Sequence, residues 1–138
     1  MRHIIFTCAT LIALSACAQP PTPAPAPAAT AARAAMADAE PDVTAQVQGI
    51  LEQAASGALA PERLTDNARA ALAPSDAQSM AAALRACGAT PALELLERST
   101  KGEQRMYVYR APCGGNPLIV EIDFGKGSRI SRLQVRPQ

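Results

Sequence analysis

The apolar period of this chain changes at Pro91. Between residues 41 and 90, apolar side chains recur every three or four positions; beyond Pro91 they recur every second position. A period near 3.6 places residues on one face of a helix, and a period of two places them on one face of a strand. The chain is therefore read as helices followed by strands, a pattern that excludes a βαβ-alternating parallel sheet.

The helical part has three segments. Pro41 suits a first helical turn, where its missing N–H costs nothing. Val43, Val47, Ile50, Leu51 and Ala54 then share one face, and Gly57 supplies the stop. Pro61 restarts a shorter helix with Leu64, Ala68 and Leu72 on one face. In "PSDAQSMAAALRACG", Ser75 and Gln78 have the spacing of a capping box, Ala77, Met80, Leu84 and Cys87 form the buried stripe, and Gly88 ends the helix. Met80 reads as core filler.

Four strand-like runs follow: "ALELLERS", "QRMYVYRA", "PLIVEIDF" and "SRISRLQVR". Lys101 with Gly102 and Lys126 with Gly127 read as tight hairpin turns. Leu118, Val120, Ile122 and Phe124 face one way in the third run, and Ser131, Leu133 and Val135 in the fourth must face them. A turn centred on Lys126 and Gly127 pairs Ile122 with Ser131 and Val120 with Leu133, and sets Glu121 opposite Arg132. The expected fold is α+β: two to three N-terminal helices packed on one face of a four-stranded antiparallel meander sheet, spanning residues 41–138.

"LRACG" closing a helix, "YVYRA" as a strand and "GSRISRLQVRP" as a last strand after a Gly-containing turn resemble the cystatin-like and nuclear-transport-factor-2-like domains of bacteria. The similarity spans roughly residues 44–137. Such domains are appended to β-lactamase-like serine hydrolases or stand alone in lipoproteins. The resemblance implies a curved sheet whose face serves dimerisation or lines a small pocket, and it implies no particular activity.

The N-terminus reads as a targeting segment. Arg2 and His3 precede an apolar run from Ile4 to Leu14, too short for a membrane span. "LSAC" (Leu14, Ser15, Ala16, Cys17) resembles the lipobox of bacterial lipoproteins, an aliphatic residue and two small residues before a Cys. That resemblance implies cleavage after residue 16, acylation of Cys17, and an anchor of several acyl chains in the bilayer. Ala18, where Asp would hold such a protein at the inner membrane, points to the outer membrane, facing the periplasm. "ACA" also fits ordinary secretory cleavage after Ala18, which leaves a soluble protein without Cys17; both readings are open. "PPTPAPAP" (residues 20–27) favours polyproline II, a semi-rigid spacer. Residues 17–40 are thus read as the lipidated Cys and a Pro/Ala-rich tether.

Cys8 leaves with the signal, and two further cysteines remain. An exported location permits a Cys87–Cys113 disulfide fastening helix to sheet. The sole His, His3, lies in the signal, so the mature chain lacks a base for Ser–His or Cys–His catalysis. Two cysteines without His fall short of a zinc site, "CGGN" lacks the GK[ST] of a phosphate loop, and no cofactor motif is present. Glu121 and Asp123 share a strand face, but Arg132 opposite Glu121 makes a solvated ion pair the plainer reading.

Without Arg2 the charges balance at twelve against twelve, which argues against nucleic-acid binding. Residues 17–97 carry four Arg against nine acids, and residues 98–138 carry eight Arg/Lys against three acids. The asymmetry is expected to pull acidic helices onto a basic sheet. The uncovered sheet face is expected to carry Leu96, Tyr107, Tyr109, Ile119, Ile130, Glu121, Asp123, Arg132 and Arg136. Of these, Leu96, Tyr107, Tyr109, Ile119 and Arg132 are the candidate partner-binding residues, since Tyr and Arg suit interfaces. The expected function is that of a non-enzymatic, envelope-anchored lipoprotein binding an envelope protein or a second copy of itself through that face. A small-ligand pocket between helices and sheet is the alternative.

Overall fold

The computed structural model describes residues 33–88 and 92–138, within a compact unit running from Ala32 to Gln138. The chain is α+β: α1 (Pro41–Ser56), α2 (Asp66–Ala71) and α3 (Pro74–Ala86) precede β1 (Glu94–Lys101), β2 (Gln104–Ala111), β3 (Leu118–Phe124) and β4 (Ile130–Pro137). The strands form one antiparallel sheet in the order β1-β2-β3-β4, a simple meander. The expected signal, Cys17 and the proline-rich stretch of residues 20–27 lie outside the described residues.

In α1, Val47, Ile50, Leu51 and Ala54 are buried at the expected spacing. Gly57, at φ 73°, closes the helix: its N–H donates to the Ala54 carbonyl (3.1 Å), and Ala58 N–H donates to that of Gln53 (2.8 Å). This double bond at a left-handed glycine satisfies carbonyls that the helix end would otherwise orphan.

The second helix differs from expectation. Pro61–Arg63 makes only a single 3-10 turn. Leu64 then leaves the helical path to bridge Ile130 on β4, and Thr65 N–H donates to the Ile130 carbonyl at 2.9 Å. The Thr65 hydroxyl accepts from Ala68 N–H (3.3 Å) and starts α2 afresh. Burying Leu64 against the sheet thus cuts the expected helix in two. In α3 the capping box is not formed. Pro74 takes the first helical position with φ already set, so the helix starts before Ser75, and its N-cap, Ala73, has no side-chain bond.

The helices cover one sheet face and enclose the main core of Val47, Ile50, Leu84, Val120, Ile122 and Phe124 with their neighbours. Tyr107 and Tyr109 belong to this core, each only 1% exposed, and not to the open face. The register is the reason. Residues 112–117 close β2 onto β3 with Ala111 opposite Leu118, which sets Tyr109 opposite Val120 and Tyr107 opposite Ile122. Residues opposite one another share a face, so the tyrosines follow the valine and isoleucine inward. Their rings stack at 6.2 Å, and Tyr107 meets Phe124 edge-on at 6.1 Å.

The β3–β4 register is also corrected. The connection is longer than a two-residue turn: a 3-10 turn at Lys126–Ser128 lies within it, and Gly125 N–H donates to the Arg129 carbonyl (2.8 Å). Phe124 then pairs with Ile130, Ile122 with Leu133, Val120 with Val135 and Glu121 with Gln134, while Ser131 bulges out and its hydroxyl donates to the Asp123 carbonyl. A bulge inserts one residue and so flips what precedes it. Ile130 is consequently buried in the main core and not on the open face. Leu133 and Val135 do face the helices, as expected.

Residues 33–40, read as the end of the tether, join the domain. Met36 N–H donates to the Leu95 carbonyl on β1 (2.8 Å), and Arg33 pairs with Glu97 (2.9 Å). The Glu40 carboxylate accepts from both Arg98 and the Tyr107 hydroxyl, each at 3.0 Å.

Candidate functional site

Two surfaces carry the functional question: the uncovered sheet face and a cleft beside β4. On the uncovered face, Leu96, Val108 and Ile119 form a separate apolar cluster, each less than a tenth exposed. Leu96 takes this side and Leu95 the main core by ordinary strand alternation, and the bulge between Leu95 and Glu97 sets Glu97 opposite Val108. Charged pairs border the cluster: Arg110 on Glu94 (2.6 Å), and Arg136 (2.8 Å) and Arg132 (3.6 Å) sharing Glu121. Arg132 pairs directly with Asp123 in register and reaches Glu121 diagonally. These ion pairs join strand to strand, those of Arg33 with Glu97 and Arg98 with Glu40 join residues 33–40 to the sheet, and Arg69 pairs with Asp66 within α2. Of the candidate partner-binding residues, Leu96, Ile119 and Arg132 lie on this face, and Tyr107 and Tyr109 do not. Without the tyrosines it is a charged lattice over a small, already covered cluster.

Asp123 is buried there at 8% exposure. Burial raises its carboxyl above the ordinary range; Arg132 opposes this and Glu121 adds to it. On the core face, burial raises the Tyr107 hydroxyl, helped by its bond to Glu40. Burial raises Tyr109 as well, against the 3.1 Å hydrogen bond with Thr44.

Cys87 and Cys113 are joined as a disulfide, with Cα atoms 4.6 Å apart. The bridge ties the end of α3 to the β2–β3 connection. Among the described residues, no three His, Cys, Asp or Glu side chains gather as a metal cluster, and no helix is long and apolar enough to cross a membrane.

The second surface is a cleft of about 600 Å³ between α2, α3 and β4. Leu72 and Met80 line its helical side, Leu64 the segment before α2, and Leu133 and Val135 its sheet side; Asp76, Ser79, Ser131, Arg132, Gln134 and Arg136 border it with polar groups. α2, of six residues, and α3, of thirteen, both pack against β4 and leave this gap beside the strand. Leu72, Leu133 and Val135 pack against the core and are only partly buried beside the gap. Its volume falls within the ~300–1,000 Å³ typical of ligand sites. The inward parity of Leu133 and Val135 is legible in the sequence; the gap beside them, bordered by α2 and α3, is not.

No family model matches the chain, and no curated protein and no solved structure matches it.

Proposed function

We propose that this chain is a binding module held at a bacterial envelope through acylated Cys17, with its domain taking the apolar part of a ligand into the cleft between α2, α3 and β4. The observation that carries this reading is the incomplete burial of Leu72, Leu133 and Val135 inside a concave site of about 600 Å³. Apolar side chains left partly wet in a cavity gain free energy when a ligand displaces the water, at about 25 cal/mol per Å². The uncovered sheet face offers less: its Leu96, Val108 and Ile119 cluster is already buried, and Glu94 and Glu121 are paired with arginines. "LSAC" and the polyproline tract support the anchor.

Native mass spectrometry of the protein purified from membranes tests the cleft. The expected result is a retained ligand that is lost in Leu133→Arg, whose guanidinium would fill the gap. An occupant equally abundant in that variant would refute the cleft reading. Fractionation of cells making Cys17→Ser tests the anchor, and product still firmly in the membrane fraction would remove it.

A further inference from the structure

Building on the cleft reading, we infer that the ligand is an extended peptide of alternating apolar and acidic residues, added to the sheet as a fifth strand along β4.

The argument begins at the edge. In the order β1-β2-β3-β4, β4 is terminal. Its outer side is bridged at Ile130, by Leu64 and Thr65; among the described residues, no other backbone bond to that side is found over residues 131–136. An edge strand with free N–H and C=O groups is a template for another strand. This one borders the apolar cleft, so the hydrogen-bonding edge and the side-chain pocket form one site. The available length, six residues, is about 20 Å.

The two faces of β4 then set the side chains of the guest. Successive residues of an added strand point to opposite faces. Those on the helix side fall beside Leu133 and Val135, into the cleft. Those between them fall beside Arg132 and Arg136, whose side chains are 51% and 56% exposed. These two guanidinium groups share the Glu121 carboxylate, with Asp123 buried behind Arg132. Arg132 also donates to Gln134 Oε1. From Lys126 to the C-terminal Gln138 the chain carries four cations and no acid. Cross-strand pairs of opposite charge stabilise and like pairs destabilise, each by roughly 0.2–1 kcal/mol. Acidic side chains on the guest strand complement this row.

The same charges disfavour a second copy as the guest. Antiparallel pairing of two β4 edges would bring arginines of one onto the arginine-bearing edge of the other. A cationic edge strand of this kind suppresses self-pairing while leaving the edge open to an acidic guest.

The test uses the full chain in lipid nanodiscs and a fluorescein-labelled octapeptide alternating valine and glutamate. Anisotropy should show saturable binding, and hydrogen exchange should slow in β4. Methylating alternate peptide nitrogens, those facing β4, should weaken binding at least tenfold. Replacing glutamate by lysine should do the same, and Arg132→Glu with Arg136→Glu should reverse that preference. Equal binding of the methylated peptide would overturn strand addition. So would absence of binding by the valine–glutamate peptide, or a dimer whose β4 exchange is protected without peptide. The cleft reading is judged separately by the native ligand: sensitivity of that ligand to Leu133→Arg would preserve the cleft even where strand addition fails.

Discussion

Opening the Cys87–Cys113 bridge should lower stability by an amount set by the loop it closes. The two residues are 26 apart in sequence. In the chain-entropy model, closing such a loop lowers the entropy of the unfolded chain by about 12 cal/mol/K, or about 3.5 kcal/mol at 25 °C. That is a large share of the ~5–15 kcal/mol that holds a domain together. The perturbation is Cys87→Ala with Cys113→Ala, which removes the bridge without adding a polar group beside the core. At a urea slope of about 1.5 kcal/mol per molar, the midpoint should fall by roughly 2 M. Reducing the parent protein with dithiothreitol should give a similar shift. Urea unfolding followed by circular dichroism measures both. Native amide spectra should change only near α3 and the β2–β3 connection, because the bridge acts mainly on the unfolded chain. A midpoint shift below about 0.5 M at unchanged slope would refute the loop-constraint reasoning, and extensive native rearrangement would move the cause into the folded state.

Three further outcomes are expected. Asp123→Asn should stabilise the protein at neutral pH. The raised carboxyl holds its proton more tightly folded than unfolded, so stability falls as pH rises from the ordinary value of 3.8 through the raised one; urea midpoints across that window should lose this slope in the variant, and a parallel pH profile would contradict it. Tyr107→Phe deletes the hydroxyl that donates to Glu40 at 3.0 Å and should cost about 1–2 kcal/mol in urea unfolding, whereas an open-face tyrosine would show almost no change. Ile130→Ala should cost about 2–4 kcal/mol, since the side chain is 1% exposed in the core; a loss within about 0.5 kcal/mol would indicate a surface residue and contradict the bulged register.

The sequence by itself determined the helix-then-strand order, the four strands and the pairing of Cys87 with Cys113, while the second helix was cut at Leu64. Helical and strand periods are local, and so are the stops at Gly57 and Gly88 and the Gly102 turn, so residues 41–138 could be read as three helices and a meander from neighbouring letters. The Cys87–Cys113 pairing follows in the sequence from reading Cys8 and Cys17 as parts of a signal and an anchor, which leaves two cysteines. What tertiary structure decided was which side of each strand is inside. In β2 both parities are apolar, Met106 and Val108 against Tyr107 and Tyr109, and alternation cannot choose between them. The choice follows from pairing Ala111 with Leu118, together with hydroxyl partners at Glu40 and Thr44 that lie more than sixty residues away in sequence. Ile130 was misplaced for a related reason: the bulge at Ser131 follows from how β4 meets β3 and Leu64. The cleft is likewise a tertiary feature, because α2, α3 and β4 come together only in the folded chain. Periodicity is a property of adjacent residues; parity, bulges and the gaps between layers arise from contacts between residues far apart in the chain, which only the folded arrangement brings together.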